Sequence, residues 1–263
     1  AHMDTSPDAA GNQIHTQLIQ DYHGDTIVLN QEKGLALDPH EFPDLLNVIH
    51  HDLITTDGTT LLGADDKAGV AIIMQMAEYL LSHPEFKHND IQIAFTPDEE
   101  VGRGTENFAL EQFPAEYAYT IDGGNIEEIE YENFNAFSAV VEITGKSIHP
   151  GSAKNAMINS IHIAQEFDAM LPVHARPEAT EGYEGFNHLH DIHGSCERTV
   201  MEYIIRNHDL DLAKKQCQDF KNIADFLNQK YGYAMVEVKI DQSYLNMKEH
   251  ILEHMYIVDN AIA

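Results

Sequence analysis

The sequence predicts a mixed α/β fold followed by an inserted α+β unit. In the first part, short β-branched or aromatic segments at 25–30, 91–96 and 117–122 are typical of strands that end in polar loops. The segment 67–81 has apolar residues at three- and four-residue steps, which predicts a helix with one well-buried face. Strand–helix–strand order with continuous apolar strands favours a largely parallel or mixed sheet, and therefore an α/β domain.

The second part has a different order of elements. Strands are predicted at 136–145, 188–197, 198–209 and 234–240, and helices at 157–171 and 213–227. Read along the chain, this is β-α-β-β-α-β, the ferredoxin-like arrangement. We therefore predict three segments: an α/β domain over 1–133, a ferredoxin-like domain over 134–246, and the start of the returning α/β domain over 247–263.

Net charge is the outlying feature of the composition. The 263-residue chain has 44 acidic residues against 15 Lys and Arg, for a formal charge of −29. Such a surface repels a phosphate backbone, so nucleic acid is excluded as an expected partner. A solvated acidic surface is the favoured explanation, and an acidic cleft that gathers cations is the functional alternative.

The sequence also indicates a cellular compartment. No apolar run approaches the length needed to cross a bilayer, and no secretory signal segment is recognisable, so no membrane association is expected. Cys196 and Cys217 form no CxxC motif and are expected to be reduced. Together these features predict a cytoplasmic protein.

Three adjacent acids, Asp98, Glu99 and Glu100, follow a predicted strand in FTPDEEVGRG. Pro97 prevents the strand from continuing into them. Adjacent carboxylates repel one another, so placing them together costs free energy unless cations offset it. Taken alone, this segment is equally well explained as an acidic turn.

Similar acidic positions recur in the first half of the chain. Asp65 and Asp66 precede the predicted helix, and Asp122 ends a predicted strand before two glycines. In AHMDTSPD, His2 and Asp4 would share one face of a strand, where an aspartate can orient a ligating imidazole. His2 could be left over from cloning, but the TSPD that follows favours a genuine motif. Since α/β sheets place sites at strand ends, these residues predict a metal centre.

The donor types narrow the chemistry of this centre. Histidine with several carboxylates and no thiolate suits catalytic zinc, manganese or cobalt. Two metals ~3.5–4 Å apart need one carboxylate between them, lower the pKa of a bound water and polarise a carbonyl. Glu99 and Glu100 could then divide the roles of base and ligand. The residues alone do not decide between Asp65 and Asp66 as the shared carboxylate.

Six motifs in one order resemble a known family. They are HMDTSPD, LITTDGTTLLGADDKAG, FTPDEEVG, YTIDGG, SIHPGSAK and EGYEGF. Together they resemble the co-catalytic zinc metallopeptidase family M20, which also holds carboxypeptidase G2-like enzymes, over essentially the whole chain. The resemblance implies a tripeptide aminopeptidase with two zinc ions, acting on small peptides.

The resemblance also implies residue roles in the first domain. The implied metal ligands are His2, Asp65, Glu100 and Asp122. His2 and Asp122 would hold the first metal and Glu100 the second, with Asp65 bridging both. Asp4 would orient His2, and Glu99 would be the general base.

For the second domain the resemblance implies a lid and a homodimer interface. His149 would donate to the oxyanion, and Asn159 and Arg206 would hold the substrate, with Arg206 on its carboxylate. Structural explanations compete here. A histidine before proline is often a loop residue, and an arginine among many acids finds an ion pair in any case.

The chain departs from the family pattern at both ends. The family has a segment before the H-x-D strand and a C-terminal histidine that binds the second metal. We therefore expect an internal fragment whose second metal site lacks a ligand and which can be inactive as given. The alternatives are a related dipeptidase, carboxypeptidase or N-acyl deacylase, or a non-catalytic dimerising remnant.

Overall fold

The computed structural model describes residues 1–124 and 128–263, in two compact units, Ala1–Glu128 and Ile129–Ala263. Each unit has its own secondary structure and is described separately. The predicted domain limits at 133 and 246 stay predictions. None of the helices in the described part of the chain has the length and apolarity of a membrane span.

The first unit contains short strands in two antiparallel pairs and one long helix. The strands are β1 (Thr16–Ile19), β2 (Ile27–Asn30), β3 (Leu35–Leu37) and β4 (Leu53–Thr56), and the helix is α1 (Ala64–Ser82). β1 pairs with β4, and β2 pairs with β3. The strand predicted at 25–30 and the helix predicted at 67–81 are thus confirmed, as is the α/β class.

Two other predicted strands are wrong as regular strands. Over the described residues 91–96 and 117–122, the one bridged position is Thr96, which pairs in parallel with His2. Ile91 and Ile93 are exposed. An apolar run is necessary for a buried strand but not sufficient, because each strand also needs a neighbour for its backbone hydrogen bonds.

The well-buried face predicted for α1 is also wrong. Met74 is 54% exposed and Leu81 86% exposed, although both lie on the predicted apolar stripe. The helix itself forms because Ala, Met, Leu and Glu favour helical backbone locally. Burial of its face depends on a partner surface, which periodicity alone does not supply.

The start of α1 is irregular. Gly63 has φ +77°, and Asp65 and Asp66 have non-helical backbone angles with a cis peptide between them. Regular helix therefore begins at Lys67. Of the two adjacent side chains, Asp65 is exposed and Asp66 is buried.

The second unit has the predicted ferredoxin-like order. Its elements are β5 (Asn135–Thr144), α2 (Ser160–Met170), β6 (Phe186–Gly194), β7 (Arg198–Asn207), α3 (Leu210–Tyr231), β8 (Val236–Tyr244), α4 (Lys248–Leu252) and α5 (Tyr256–Ile262). The antiparallel sheet runs β6-β7-β5-β8. The β-α-β-β-α-β prediction is confirmed.

The core of the second unit lies between this sheet and helices α2 and α3. Phe167 and Phe220 are fully buried, and Tyr203 is 1% exposed. The ring centroids of Phe167 and Phe220 are 5.8 Å apart. Those of Tyr203 and Phe220 are 4.9 Å apart, and these two rings meet edge to face. Nearly all of the buried apolar residues in the described part of the chain lie in this second unit.

Candidate metal centre

The backbone at His2, near the start of the chain, is held by pairing with Thr96. The Met3 N–H donates to the Thr96 carbonyl at 2.9 Å, and the Thr96 N–H donates to the Ala1 carbonyl at 3.3 Å. These hydrogen bonds fix the backbone on both sides of His2. The side chain is only 2% exposed.

Both ring nitrogens of His2 face oxygen atoms. Nδ1 lies 3.1 Å from the Asp4 carbonyl and 3.3 Å from Asp4 Oδ1. Nε2 lies 3.0 Å from Asp65 Oδ1, 3.8 Å from Glu99 Oε2 and 3.9 Å from Asp122 Oδ1. A nearly buried imidazole therefore points one nitrogen at three carboxylates, an arrangement that suits a cation ligand.

The donor atoms are close enough to share an ion. One ligand atom each from His2, Asp65 and Glu100 lie within 4.8 Å of one another, and the same holds for His2, Asp66 and Asp122. Imidazole nitrogen with carboxylate oxygen is the donor set of catalytic zinc sites. Because the clustered carboxylates repel one another, a cation would relieve their repulsion. The residues present therefore fit a metal centre.

Asp4 connects His2 to the acidic loop. Its Oδ1 accepts the Glu99 N–H at 3.2 Å and its Oδ2 accepts the Glu100 N–H at 3.1 Å. Desolvation raises the pKa of Asp4, but the hydrogen bonds from Glu100 and Glu99 outweigh it, and the pKa is lowered. Asp4 stays ionised and positions the two glutamates relative to His2.

Asp65 and Asp66 lie in different surroundings. Asp66 is 2% exposed, and its carboxylate accepts the His2 and Gly69 N–H groups, each at 3.0 Å. The Asp65 side chain is 63% exposed and faces His2 Nε2. Both Asp66 oxygens thus accept backbone N–H groups, whereas Asp65 faces the imidazole, and each aspartate belongs to one group of candidate ligands with His2.

Burial and neighbouring charges shift the pKa of two further groups, His2 and Glu99. Burial lowers the pKa of His2, but the hydrogen bond to Asp65 and the charges of Asp122 and Glu99 outweigh it, and the pKa is raised. Burial raises the pKa of Glu99; His2 opposes this, while Asp122 and Glu100 add to it, so the net pKa is raised. A carboxylate with a raised pKa is better matched to proton transfer near neutral pH.

The other predicted site residues lie in the second unit, where each has local contacts. The exposed His149 accepts the Gly151 N–H on Nδ1, and Asn159 Oδ1 caps α2 by accepting the Ile161 N–H. Arg206 donates to the carbonyls of Phe137 and Ile205, and its guanidinium lies over the Tyr244 ring. Arg206 Nη1 is thus bonded to backbone carbonyls, and over the described residues 1–124 and 128–263 the structure gives Arg206 no ion pair. The substrate roles of His149, Asn159 and Arg206 stay predictions.

Sequence reasoning missed two features of the first unit. One is the anchoring role of Asp66, which is visible only once the His2 and Gly69 N–H groups are placed. The other is a separate group formed by Asp21, His23 and His50. The sequence Asp21-Tyr22-His23 was a usable signal for this second group, but its other histidine, His50, lies 29 residues after Asp21.

Replacing Gly69 by alanine is expected to destabilise the first unit. A methyl group there would overlap the Asp66 carboxylate and the Ile121 carbonyl oxygen. Alanine normally favours a helix over glycine, so overpacking here reverses the usual sign and costs about 1–3 kcal/mol. Urea unfolding measures the loss. Gly104→Ala, where the nearest atom would be 3.4 Å away, is the control and should cost far less.

Two family models match the chain. A peptidase dimerisation domain matches residues 131–232, and an M42 glutamyl aminopeptidase model matches residues 48–146. A tripeptidase structure from Staphylococcus aureus aligns with a TM-score of 0.64 at 25% identity, covering 73% of this chain and 52% of that one. An aminopeptidase structure from Bacillus cereus aligns at 0.63 with 24% identity, covering 76% and 55%. Both units of the chain are therefore similar to parts of peptidases.

The curated relatives are more specific. Peptidase T of Caldanaerobacter subterraneus is 52% identical over 262 residues, which is 100% of this chain and 64% of the relative. Peptidase T of Desulfitobacterium hafniense is 53% identical over 261 residues, which is 99% of this chain and 64% of that relative. The chain is therefore similar to peptidase T over essentially its whole length, and it spans about 64% of the length of these relatives.

Proposed function

We propose that the protein is a metallo-aminopeptidase that releases the N-terminal residue from tripeptides. The observation that carries this proposal is the arrangement around His2, whose Nε2 lies 3.0 Å from Asp65 and under 4 Å from Glu99 and Asp122. The names of the relatives, peptidase T and tripeptidase, support the choice of substrate. The protein would act in the cytoplasm.

Two zinc ions would be held by His2, Asp65, Glu100 and Asp122. When bound, they would supply Lewis acidity and a water of lowered pKa. Asp65 is the best-placed carboxylate to be shared, because its side chain is open to solvent while Asp66 is engaged. Asp4 would keep the His2 ring oriented through Nδ1.

Glu99 would move the proton. Its Oε2 is near His2 Nε2 yet its side chain is 52% exposed, so water and substrate can reach it. The raised pKa helps it to take a proton from the attacking water and to return that proton to the leaving amine. His149, Asn159 and Arg206 would hold the peptide, with Arg206 on the terminal carboxylate, in a homodimer formed through the second unit.

The assay that tests the proposal compares an unblocked tripeptide with its N-acetylated form. Release of free N-terminal amino acid is expected from the first and not from the second, because an aminopeptidase needs the free amine. Equal hydrolysis of both would instead indicate a carboxypeptidase, and release of acetate from the acetylated form alone would indicate a deacylase. Neither form being cleaved, in a protein that holds no stoichiometric zinc, would contradict the proposal.

Removal of metal is expected to abolish this activity. Dialysis against a chelator should lower the rate by at least about a hundredfold, since the proposed water activation depends on the ions. Adding back zinc should restore it, and zinc content per chain is measured in parallel. Activity that survives complete removal of zinc would contradict the proposed role of this centre.

A further inference from the structure

A second group of potential metal ligands lies in the first unit, and it shares no residue with the centre described above. Asp21, His23 and His50 each offer a ligand atom, and these atoms lie within 4.8 Å of one another. Asp21 Oδ1 lies 3.0 Å from His50 Nδ1, and Asp21 Oδ2 lies 3.5 Å from His23 Nε2. One carboxylate thus faces ring nitrogens from two separate loops.

The backbone around this group is fixed by a reciprocal pair of hydrogen bonds. The Tyr22 N–H donates to the His51 carbonyl at 2.9 Å, and the His50 N–H donates to the Tyr22 carbonyl at 2.7 Å. Tyr22 stands between two of the ligands, is 3% exposed and donates its hydroxyl to the Asp25 carbonyl. The loops that carry the three side chains are therefore held together without any ion.

Two of these residues adopt a backbone conformation that is rare for residues other than glycine. Asp21 has φ +47° and His50 has φ +67°, both in the left-handed region. The Asp21 N–H donates to Asp52 Oδ1 at 2.9 Å, which helps to hold this turn. Such conformations persist where surrounding structure imposes them, and they often mark functional positions.

The three side chains remain open to solvent. The exposed fractions are 64% for Asp21, 62% for His23 and 72% for His50. An ion could therefore enter without rearrangement of the chain. Two imidazoles and one carboxylate are the donor set of borderline divalent ions such as Zn²⁺, while Ca²⁺ and Mg²⁺ prefer oxygen ligands alone.

We propose that Asp21, His23 and His50 form a second, separate binding site for a divalent transition-metal ion of the zinc type. Three protein ligands leave at least one position for water, so the ion would be exchangeable. It would join the turn after β1 to the segment before β4, at one end of the β1–β4 pair. This inference is independent of the proposed peptidase activity.

The direct test adds Zn²⁺ to protein from which metal has been removed and measures the equivalents of Zn²⁺ that bind per chain. His23→Gln with His50→Gln removes both imidazoles, and His40→Gln with His51→Gln is the matched control with exposed histidines outside the group. We expect the first double variant to bind one equivalent of Zn²⁺ per chain less than the unsubstituted protein. The control should bind as many equivalents as the unsubstituted protein. Equal binding by both double variants would overturn the proposal.

A second measurement uses the unsubstituted protein and so does not depend on how the variants fold. Diethyl pyrocarbonate modifies free imidazoles, and mass spectrometry locates each modified histidine. Added Zn²⁺ should slow modification of His23 and His50 at least tenfold and leave His40 and His51 unchanged. Unprotected His23 and His50 at saturating Zn²⁺ would overturn the proposal, whatever happens at His2.

Discussion

Glu99→Gln is expected to lower the rate of tripeptide hydrolysis by about 10²–10⁴-fold, the usual contribution of a general base. Glutamine keeps the size and shape of the side chain but cannot take a proton from water. The pKa of Glu99 is raised by burial, with further contributions from Asp122 and Glu100 against the opposing effect of His2. A neutral side chain at this position should therefore leave folding intact. The rate at saturating tripeptide is the measurement.

Zinc content separates loss of the base from loss of the centre. Glu99→Gln should retain the zinc of the unsubstituted protein, whereas Glu100→Gln should lose zinc together with activity, because Glu100 is the proposed ligand. Glu111→Gln is the surface control, since Glu111 is exposed and belongs to neither group of candidate ligands. A Glu99→Gln protein that keeps more than about a tenth of the activity would show that another group moves the proton.

The two units were not equally predictable from the sequence. In the second unit, strand alternation and helical stripes identified the β-α-β-β-α-β elements, because sheet and helices bury each other within one continuous segment. In the first unit, the apolar runs at 91–96 and 117–122 did not become strands, and α1 leaves Leu81 exposed. Periodicity reports which residues could be buried; it does not report what covers them.

The candidate site was predicted from residue types but not in its detail. His2, Asp65, Glu99 and Asp122 come together from distant parts of the first unit, although the strands predicted before Glu99 and Asp122 do not form. The distinction between Asp65 and Asp66 depends on backbone donors that no motif reveals. The Asp21 group was missed for a related reason, since its second histidine meets the first only through the pairing of Tyr22 with His50 and His51.

Phe220→Ala is expected to destabilise the second unit by about 3–5 kcal/mol, the range for a fully buried phenylalanine. Phe220 is 0% exposed and lies between Phe167 and Tyr203. Both neighbours are themselves buried, and β5 and β7 fix the sheet behind them, so the cavity cannot close easily. The midpoint of urea unfolding, followed by a probe of the second unit, gives the change in free energy.

Phe226→Ala tests whether this loss comes from packing in the core. Phe226 lies on the same helix, α3, but is 51% exposed, so its removal changes helix propensity and composition in a similar way without opening a buried cavity. We expect a cost below about 1 kcal/mol, typical of surface substitutions. If the two variants unfolded at the same urea concentration, α3 would not be packed as described, and the aromatic cluster could not be the main source of stability in this unit.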